Sequence, residues 1–386
     1  MNNFEYHNPT KILFGKGQIA SLDKELPRDA NILLLYGGGS IKRNGIYEQV
    51  TATLGDRKVV EFGGIPANPE YAKLMEALAV IRKLDITYLL AVGGGSVIDG
   101  AKFLSAAARY PGEDPWTILT DNVSVKEGLP FATVLTLPAT GSEMNSGAVI
   151  TRAETREKLA MGGPELFPVF SILDPTVIHS VPQRQLANGI TDAFTHVLEQ
   201  YMTYPTGALL QDRLAESILQ TLIEVAPKVL ADPTDYSAAA NFMWSCTLAL
   251  NGLISKGVPT DWAIHAMGHE LTALHGIDHA RTLAVIAPSH YTYNLAAKGE
   301  KLAQYGERVW NITAGSTDER ARAAIARTED FFHRLGIDTK LSDYTNDYEG
   351  TGEEVARRFT ERGWKGLGEH RKLTPADAGQ IVKMAY

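Results

Sequence analysis

Several things are scarce in this sequence, and each scarcity excludes a class of answer. There is a single cysteine, Cys246, so no internal disulfide can staple the chain and no site can be built on several thiolates. Any metal must be held by imidazole and carboxylate. Nowhere do 18 apolar residues run together, which argues against a membrane-spanning helix. The stretch from Met1 to Pro9 is polar and lacks the apolar core of a secretory signal, so a cytoplasmic location is expected. Positive charge is not in excess either. The 37 Lys and Arg residues stand against 45 Asp and Glu, for a formal net charge of -8. The cations are scattered, so neither nucleic acid nor an anionic membrane is an expected partner. Solenoid-type repeats and low-complexity tracts are absent.

What is present is an ordinary globular composition, with 386 residues and 44% hydrophobic content, enough for a large core divided over two domains. Up to about residue 180, short apolar runs alternate with glycine-rich turns and amphipathic stretches, the βαβ pattern of a mostly parallel sheet. The runs are Ile32 to Tyr36, Val59 to Phe62, Tyr88 to Val92, Thr133 to Leu137 and Val169 to Leu173. Alternating residues in Ala148 to Arg152, followed by Lys158 to Met161, predict a small hairpin. Beyond Asp174-Pro175 and Pro182 the texture changes. Gln183 to Tyr201, Gln211 to Leu230 and Ala238 to Leu253 read as long helices, with no convincing strand among them. The expected division is an α/β domain over 1–180 and an all-helical domain over 181–386. Tyr344 to Glu353, polar with glycines, reads as a loop.

The tetrapeptide Gly-Gly-Gly-Ser occurs twice, at Gly37 to Ser40 and at Gly93 to Ser96, each time after a strand run and before an expected helix. A strand that ends in glycines and turns into a helix presents bare N–H groups and the positive end of a helix dipole, which together hold a phosphate. Ser96 and Asp99 have the spacing of a capping box, as do Thr140 and Glu143 in the third candidate loop, Leu137 to Glu143. Neither glycine loop has the G-x-G-x-x-G spacing of the usual dinucleotide fingerprint. Two such loops in one sheet nevertheless point to a ligand with more than one phosphate at the carboxyl edge of the strands. A capped helix after a tight turn remains the bland alternative for either loop alone.

Four of the ten histidines fall between His265 and His279, and His196 lies four residues after Asp192. Positions i and i+4 share a helix face, so Asp192 and His196 can point at one atom, as can His265 and His269. Imidazole with carboxylate suits a first-row divalent ion, and three neutral imidazoles with one carboxylate leave such a site with a net charge of about +1. The segment before His265, Asp261 to Ile264, is apolar enough to be buried, so a histidine there needs a partner or a metal. His7, His179, His290, His333 and His370 stand alone and read as structural.

Taken together, these blocks resemble the iron-containing, or group III, metal-dependent alcohol dehydrogenases, in particular their NADPH-dependent butanol dehydrogenase and aldehyde reductase branch. The resemblance covers nearly the whole chain. It runs through Pro9 to Gly17, both glycine loops, Leu137 to Glu143, Asp192 to His196 with Glu199 and Tyr201, and His265 to His279. Ala280 after His279 fits the same branch, where many other members have glycine. The fold this implies is a Rossmann-like dinucleotide-binding domain followed by an all-α metal-binding domain, the architecture of dehydroquinate synthase.

Carried over position by position, the resemblance implies Asp192, His196, His265 and His279 as ligands of one divalent metal, Fe2+ or Zn2+. His269 is left for proton relay or substrate contact. It places the pyrophosphate on Gly94, Gly95 and Ser96, with Asp99 nearby, and lines the nicotinamide side with Thr136, Thr140 and Ser142. Lys158 is then the lysine that reaches the cofactor ribose. Gly37, Gly38 and Ser40 form the first loop, where relatives that prefer NAD carry an aspartate. Gly38 stands in its place here, so with Ser40, Lys42 and Arg43 close by, NADP(H) is the expected cofactor. The implied activity is hydride transfer between NADPH and short-chain aldehydes, by a homodimer. Two alternatives stay open at this point: a dehydroquinate-synthase-like NAD and zinc cyclase, and a metallohydrolase. The first needs a concentrated cationic pocket that the sequence does not offer, and the second leaves the two glycine loops without a purpose.

Overall fold

The computed structural model describes residues 1–386. Its first part contains β1 (Lys11–Phe14), α1 (Leu22–Glu25), β2 (Asn31–Tyr36), α2 (Ile46–Leu54), β3 (Lys58–Phe62), α3 (Tyr71–Lys83), β4 (Tyr88–Gly94), α4 (Gly95–Arg109) and α5 (Thr117–Thr120). These are followed by β5 (Phe131–Leu137), the antiparallel hairpin β6 (Gly147–Arg152) and β7 (Glu157–Gly162), and β8 (Phe170–Leu173). Helices make up the rest: α6 (Gln183–Tyr201), α7 (Leu209–Ala231), α8 (Tyr236–Ala249), α9 (Ala263–His275), α10 (His279–Tyr293), α11 (Leu295–Trp310), α12 (Thr317–Arg334), α13 (Thr351–Glu361) and α14 (Pro375–Met384). No helix is long and apolar enough to cross a membrane.

Residues 7–182 and 232–251 form an α/β unit. Six of its eight strands form an all-parallel sheet, in the order β1-β8-β5-β4-β2-β3. The central strands β2, β4 and β5 are buried along most of their length, which is why they read as continuous apolar runs and not as alternating ones. Strands β2 and β4 are neighbours, but the chain leaves β2 toward β3 and leaves β4 toward β5, on opposite sides. Such a reversal opens a crevice at the carboxyl ends of the two strands, where open α/β sheets bind ligands. Both Gly-Gly-Gly-Ser segments sit at this reversal. The short edge strand β1 is a strand that the apolar runs did not predict; its pattern is mixed and Phe14 is partly exposed.

Residues 1–6, 183–231 and 252–386 form the second, helical unit. The expected division at 180 is corrected by α8, which belongs to the α/β unit. Its Tyr236 hydroxyl accepts from the Lys16 amide, its Trp244 meets Phe14 edge-on at 5.9 Å, and its Thr247 hydroxyl donates to Glu143. Periodicity finds such a helix but not the unit on which its apolar face is spent. Helix α8 also ends at Ala249, short of Leu253, and Glu353, expected in a loop, lies in the first turn of α13. Within the helical unit, α10 packs against both α6 and α9, and these three helices carry every residue expected to hold the metal.

Candidate functional site

The metal-type cluster is built from one helix turn and two helix starts. Asp192 and His196 are one turn apart on α6, His265 lies in the first turn of α9, and His279 opens α10. One oxygen, Asp192 Oδ1, stands 3.6 Å from His196 Nε2, 3.9 Å from His265 Nε2 and 3.8 Å from His279 Nε2. These separations exceed hydrogen-bond length. They suit donors sharing one ion, since bonds of about 2.0–2.2 Å to nitrogen and oxygen put neighbouring corners of a tetrahedron roughly 3.4 Å apart. The donor atoms of Asp192, His265 and His279 all lie within 4.8 Å of one another. His265 Nε2 is buried and has no hydrogen-bond partner, a costly state for a ring nitrogen unless something else satisfies it. Buried imidazoles around a carboxylate are therefore the right chemistry for a first-row divalent ion. His269 stands beside this group, its ring 6.2 Å from that of His265 and 4.8 Å from that of His279. The helical pairing of His265 with His269 gives way to convergence across helices, with His279 supplying the third donor of the group.

Glu199 explains how His265 is aimed, and the residue-type reading gave it no role. It is almost fully buried on α6. Its carboxylate accepts from the amides of Ile264 at 2.7 Å and His265 at 3.1 Å, and it pairs with His265 Nδ1, turning Nε2 toward Asp192. The available signal was spacing: Asp192, His196 and Glu199 stand at i, i+4 and i+7, one stripe of α6. The turn before α9 is shaped for this contact. Trp262 takes the left-handed conformation, with φ 65° and ψ 10°, which is unfavourable for a bulky residue, and the Asp261 amide donates to the Glu199 carbonyl at 2.8 Å. The Trp262 ring lies edge-on to His265 at 5.3 Å.

The two central imidazoles differ electrostatically. Burial pushes His196 down to about 4, against the pull of Asp192. Burial also disfavours charge on His265, but the carboxylates of Glu199 and Asp192 outweigh it and raise that group to about 9.

In the α/β unit the second glycine loop is hardly a loop. Strand β4 runs through Gly94 and α4 starts at Gly95, with a register shift at Gly93 and Gly94 and no side-chain cap on the helix. Its first N–H groups are therefore left without intrahelical partners. The glycines are needed for space: a Cβ on Gly95 would come within 2.5 Å of Thr140 Oγ1, and one on Gly94 within 3.0 Å of Leu137 Cβ. The capping box expected of Ser96 and Asp99 is not formed. Ser96 Oγ instead accepts from the Asn68 amide at 3.2 Å, and Asn68 Oδ1 accepts from Lys158 Nζ at 2.9 Å. Asn68, missed in the sequence, thus ties Ser96 to Lys158.

The third loop also lacks its expected box. Thr140 Oγ1 accepts from the Ser142 amide at 3.2 Å, while Glu143 is buried against Thr247. Thr136 lies near the end of β5, partly exposed, and Thr140 is partly exposed above Gly95. Ser142 and Asp99 turn inward. Ser142 is 2% exposed; its hydroxyl donates to Asp99 Oδ1 at 2.6 Å and accepts from Lys102 Nζ at 2.8 Å. Burial draws the Lys102 ammonium down to about 8, against the opposing carboxylates of Asp99 and Glu143.

The first glycine loop does not lead straight into a helix as expected. Gly39, at φ 83°, enters a single tight turn over Ser40–Lys42, and α2 begins only at Ile46. A Cβ on Gly37 would stand 3.3 Å from the Ile65 carbonyl, whereas one on Gly38 would meet nothing within 4 Å. Lys42 is committed to Glu61 at 2.9 Å and lies over the rings of Tyr36 and Tyr47, which leaves Arg43 as the nearby cation without such a tie.

This arrangement has known counterparts. The chain is 53% identical to the NADPH-dependent aldehyde reductase YqhD of Escherichia coli, over the whole of both proteins. It is 41% identical to the probable NADH-dependent butanol dehydrogenase 1 of Bacillus subtilis, over 99% of each. The crystal structure of Escherichia coli YqhD superposes with a TM-score of 0.98 at 51% identity, covering 100% of this chain and 99% of that one. Residues 9–175 match the iron-containing alcohol dehydrogenase domain, and residues 186–386 match the C-terminal domain of the same family. With a glycine-lined crevice in one unit, an imidazole and carboxylate cluster in the other, and both matched along their length, the chain belongs to the iron-containing alcohol dehydrogenase family.

Proposed function

We propose that the protein is an NADP(H)-dependent alcohol dehydrogenase that works as a reductase of short-chain aldehydes. In this reading Asp192, His196, His265 and His279 hold one divalent ion, Fe2+ or Zn2+. The observation that carries it is the approach of three Nε2 atoms to the single Asp192 Oδ1. When bound there, the ion supplies Lewis acidity toward the carbonyl oxygen and, at a net site charge of about +1, favours the negative charge that develops on it.

The chain's own residues do the remaining work. Gly94, Gly95 and Ser96 offer the open end of α4 to the pyrophosphate, Lys158 and Asn68 fix the ribose side, and Thr136 and Thr140 face the nicotinamide. Bound there, NADPH would supply the hydride for the carbonyl carbon, and with a proton taken up at the oxygen one NADPH would be consumed per alcohol formed. In this reading His269, partly exposed beside His265 and His279, holds that proton. Preference for the 2′-phosphate follows from Gly38. It lies outside the left-handed region and the space beyond it is open, so nothing in the backbone demands glycine there; what glycine provides is the absence of an acid. Gly37 and Ser40 complete that loop, with Arg43 beside it. We read the protein as a cytoplasmic homodimer, which size-exclusion chromatography with light scattering tests.

The function is tested by following NADPH absorbance while short aldehydes are added, with the alcohol quantified in parallel. Equal amounts of NADPH lost and alcohol gained support the reading. NADPH binding without net consumption would favour a redox-neutral cyclase, and no NADPH binding would favour a metallohydrolase.

A further inference from the structure

Lys102 has no place in the scheme above, yet it is completely buried on α4, seven residues after the glycine that opens the helix. An ammonium group has three hydrogens to donate. All three are used: Nζ donates to Ser142 Oγ at 2.8 Å, Asn145 Oδ1 at 2.8 Å and the Gly147 carbonyl at 2.7 Å. The acceptors belong to one stretch of chain, from the end of the third loop to the start of β6. That stretch is also held from the other side. Asn145 Nδ2 donates to the Gly141 and Leu250 carbonyls, Ser142 donates to Asp99, and Asp99 Oδ2 accepts from the Val149 amide at 2.9 Å.

Two buried carboxyl groups, Asp99 and Glu143, stand near the ammonium. Removing it would leave these acids buried without their counter-charge, a loss that is large in a medium of low polarity. Just before this stretch comes Thr140, whose hydroxyl accepts from the Ser142 amide at 3.2 Å and whose side chain fills the space that a Cβ on Gly95 would need.

We propose that Lys102 is a positioning residue of the dinucleotide cradle: its buried ammonium fixes the stretch from Thr140 to Gly147 against the glycine start of α4. It touches no cofactor itself, and it turns Ser142 and Asp99 into internal supports of the cradle. The proposal rests on reading Gly94 to Ser96 and Thr140 as the dinucleotide site.

The test uses the full-length, metal-loaded protein. NADPH affinity is measured by nicotinamide fluorescence, and kcat and KM are measured separately for NADPH and aldehyde. Lys102→Met should weaken NADPH binding at least tenfold and raise the KM for NADPH, with the aldehyde KM and the metal content within twofold of the starting protein. In Lys102→Ala, butylammonium chloride should restore part of the affinity, while sodium chloride at equal ionic strength should not. Ser142→Ala and Asn145→Ala, which remove acceptors and leave the lysine, should weaken binding severalfold and carry the test should Lys102→Met prove unstable. Unchanged NADPH affinity in all of these variants, or losses that track metal content, would overturn the proposal. Gly95→Val separates it from the underlying reading: if that variant binds NADPH normally, the cradle itself is misassigned.

Discussion

The two candidate sites, one in each unit, are made in opposite ways. The candidate metal cluster in the helical unit consists of side chains, with three rings from α6, α9 and α10 approaching one carboxylate oxygen. The cradle in the α/β unit consists mainly of backbone and empty space; two of the polar side chains expected to line it, Ser142 and Asp99, face inward to hold a turn. A site made of donor atoms fails when atoms are taken away. A site made of space fails when atoms are added.

The largest effect should come from subtraction at the cluster. Asp192→Asn keeps the size of the side chain but removes the charge on which three imidazoles converge. It should lower metal occupancy and cut kcat/KM for aldehyde on the order of 10³-fold, as expected when several kcal/mol of charge stabilisation is lost. Metal analysis beside steady-state kinetics checks this. One layer out, Glu199→Gln keeps a hydrogen-bonding group near His265 but removes the carboxylate that aims it. A loss of roughly 10–100-fold in metal affinity is expected, read by competition with a chromophoric chelator.

Addition should dominate in the cradle. Gly95→Ala drives a methyl group into Thr140, and overpacking of this kind costs about 1–3 kcal/mol. NADPH affinity should fall with metal content unchanged. At Gly38 the space is open, so Gly38→Asp should fold normally and act by charge alone. It should shift the preference from NADPH toward NADH by roughly tenfold, read as the ratio of the two kcat/KM values. Equal sensitivity of both glycines to a neutral methyl would break the comparison.

The smallest effect concerns the support behind the cluster. Lys298, buried on α11, joins Asp261 at 2.9 Å and Glu369 at 2.5 Å, and Asp261 in turn donates its amide to Glu199. Burial, with Asp261 alongside, raises Glu369 to about 7 from an ordinary value near 4.5. Between those two pH values the folded state holds more protons than the unfolded state, so this group's contribution to stability falls as pH rises through the window. Glu369→Gln lacks that loss. The difference in Tm between the variant and the starting protein should grow by a few °C from pH 4.5 to pH 7, and a constant difference would contradict the assignment.

Legibility in the sequence followed the same divide. Helix α6 could be read over its full span because its ends and its apolar spacing agree, and the strands β2, β4 and β5 because burial on both faces makes them apolar throughout. Asp192 and His196 were legible because one helix carries both. His279 was not, since its approach to His265 depends on how α10 meets α9, a tertiary fact that helical spacing cannot encode; the family resemblance supplied it. Asn68 and Lys102 were invisible for a related reason. Neither belongs to a motif of residue type, and each matters through a hydrogen bond that crosses between elements. The two capping boxes failed because tertiary partners claimed the same side chains: Asn68 took Ser96, and Thr247 took Glu143.

The central claim is that one ion, held by Asp192, His196, His265 and His279, is required for hydride transfer. It is tested most directly by stripping the protein with a chelator and titrating Fe2+ or Zn2+ back under anaerobic conditions while NADPH oxidation by an aldehyde is recorded. Activity should vanish on stripping, return linearly and level off at one ion per chain, and in Asp192→Asn it should not return. Full activity in the metal-free protein, or a plateau at a different stoichiometry, would contradict the account.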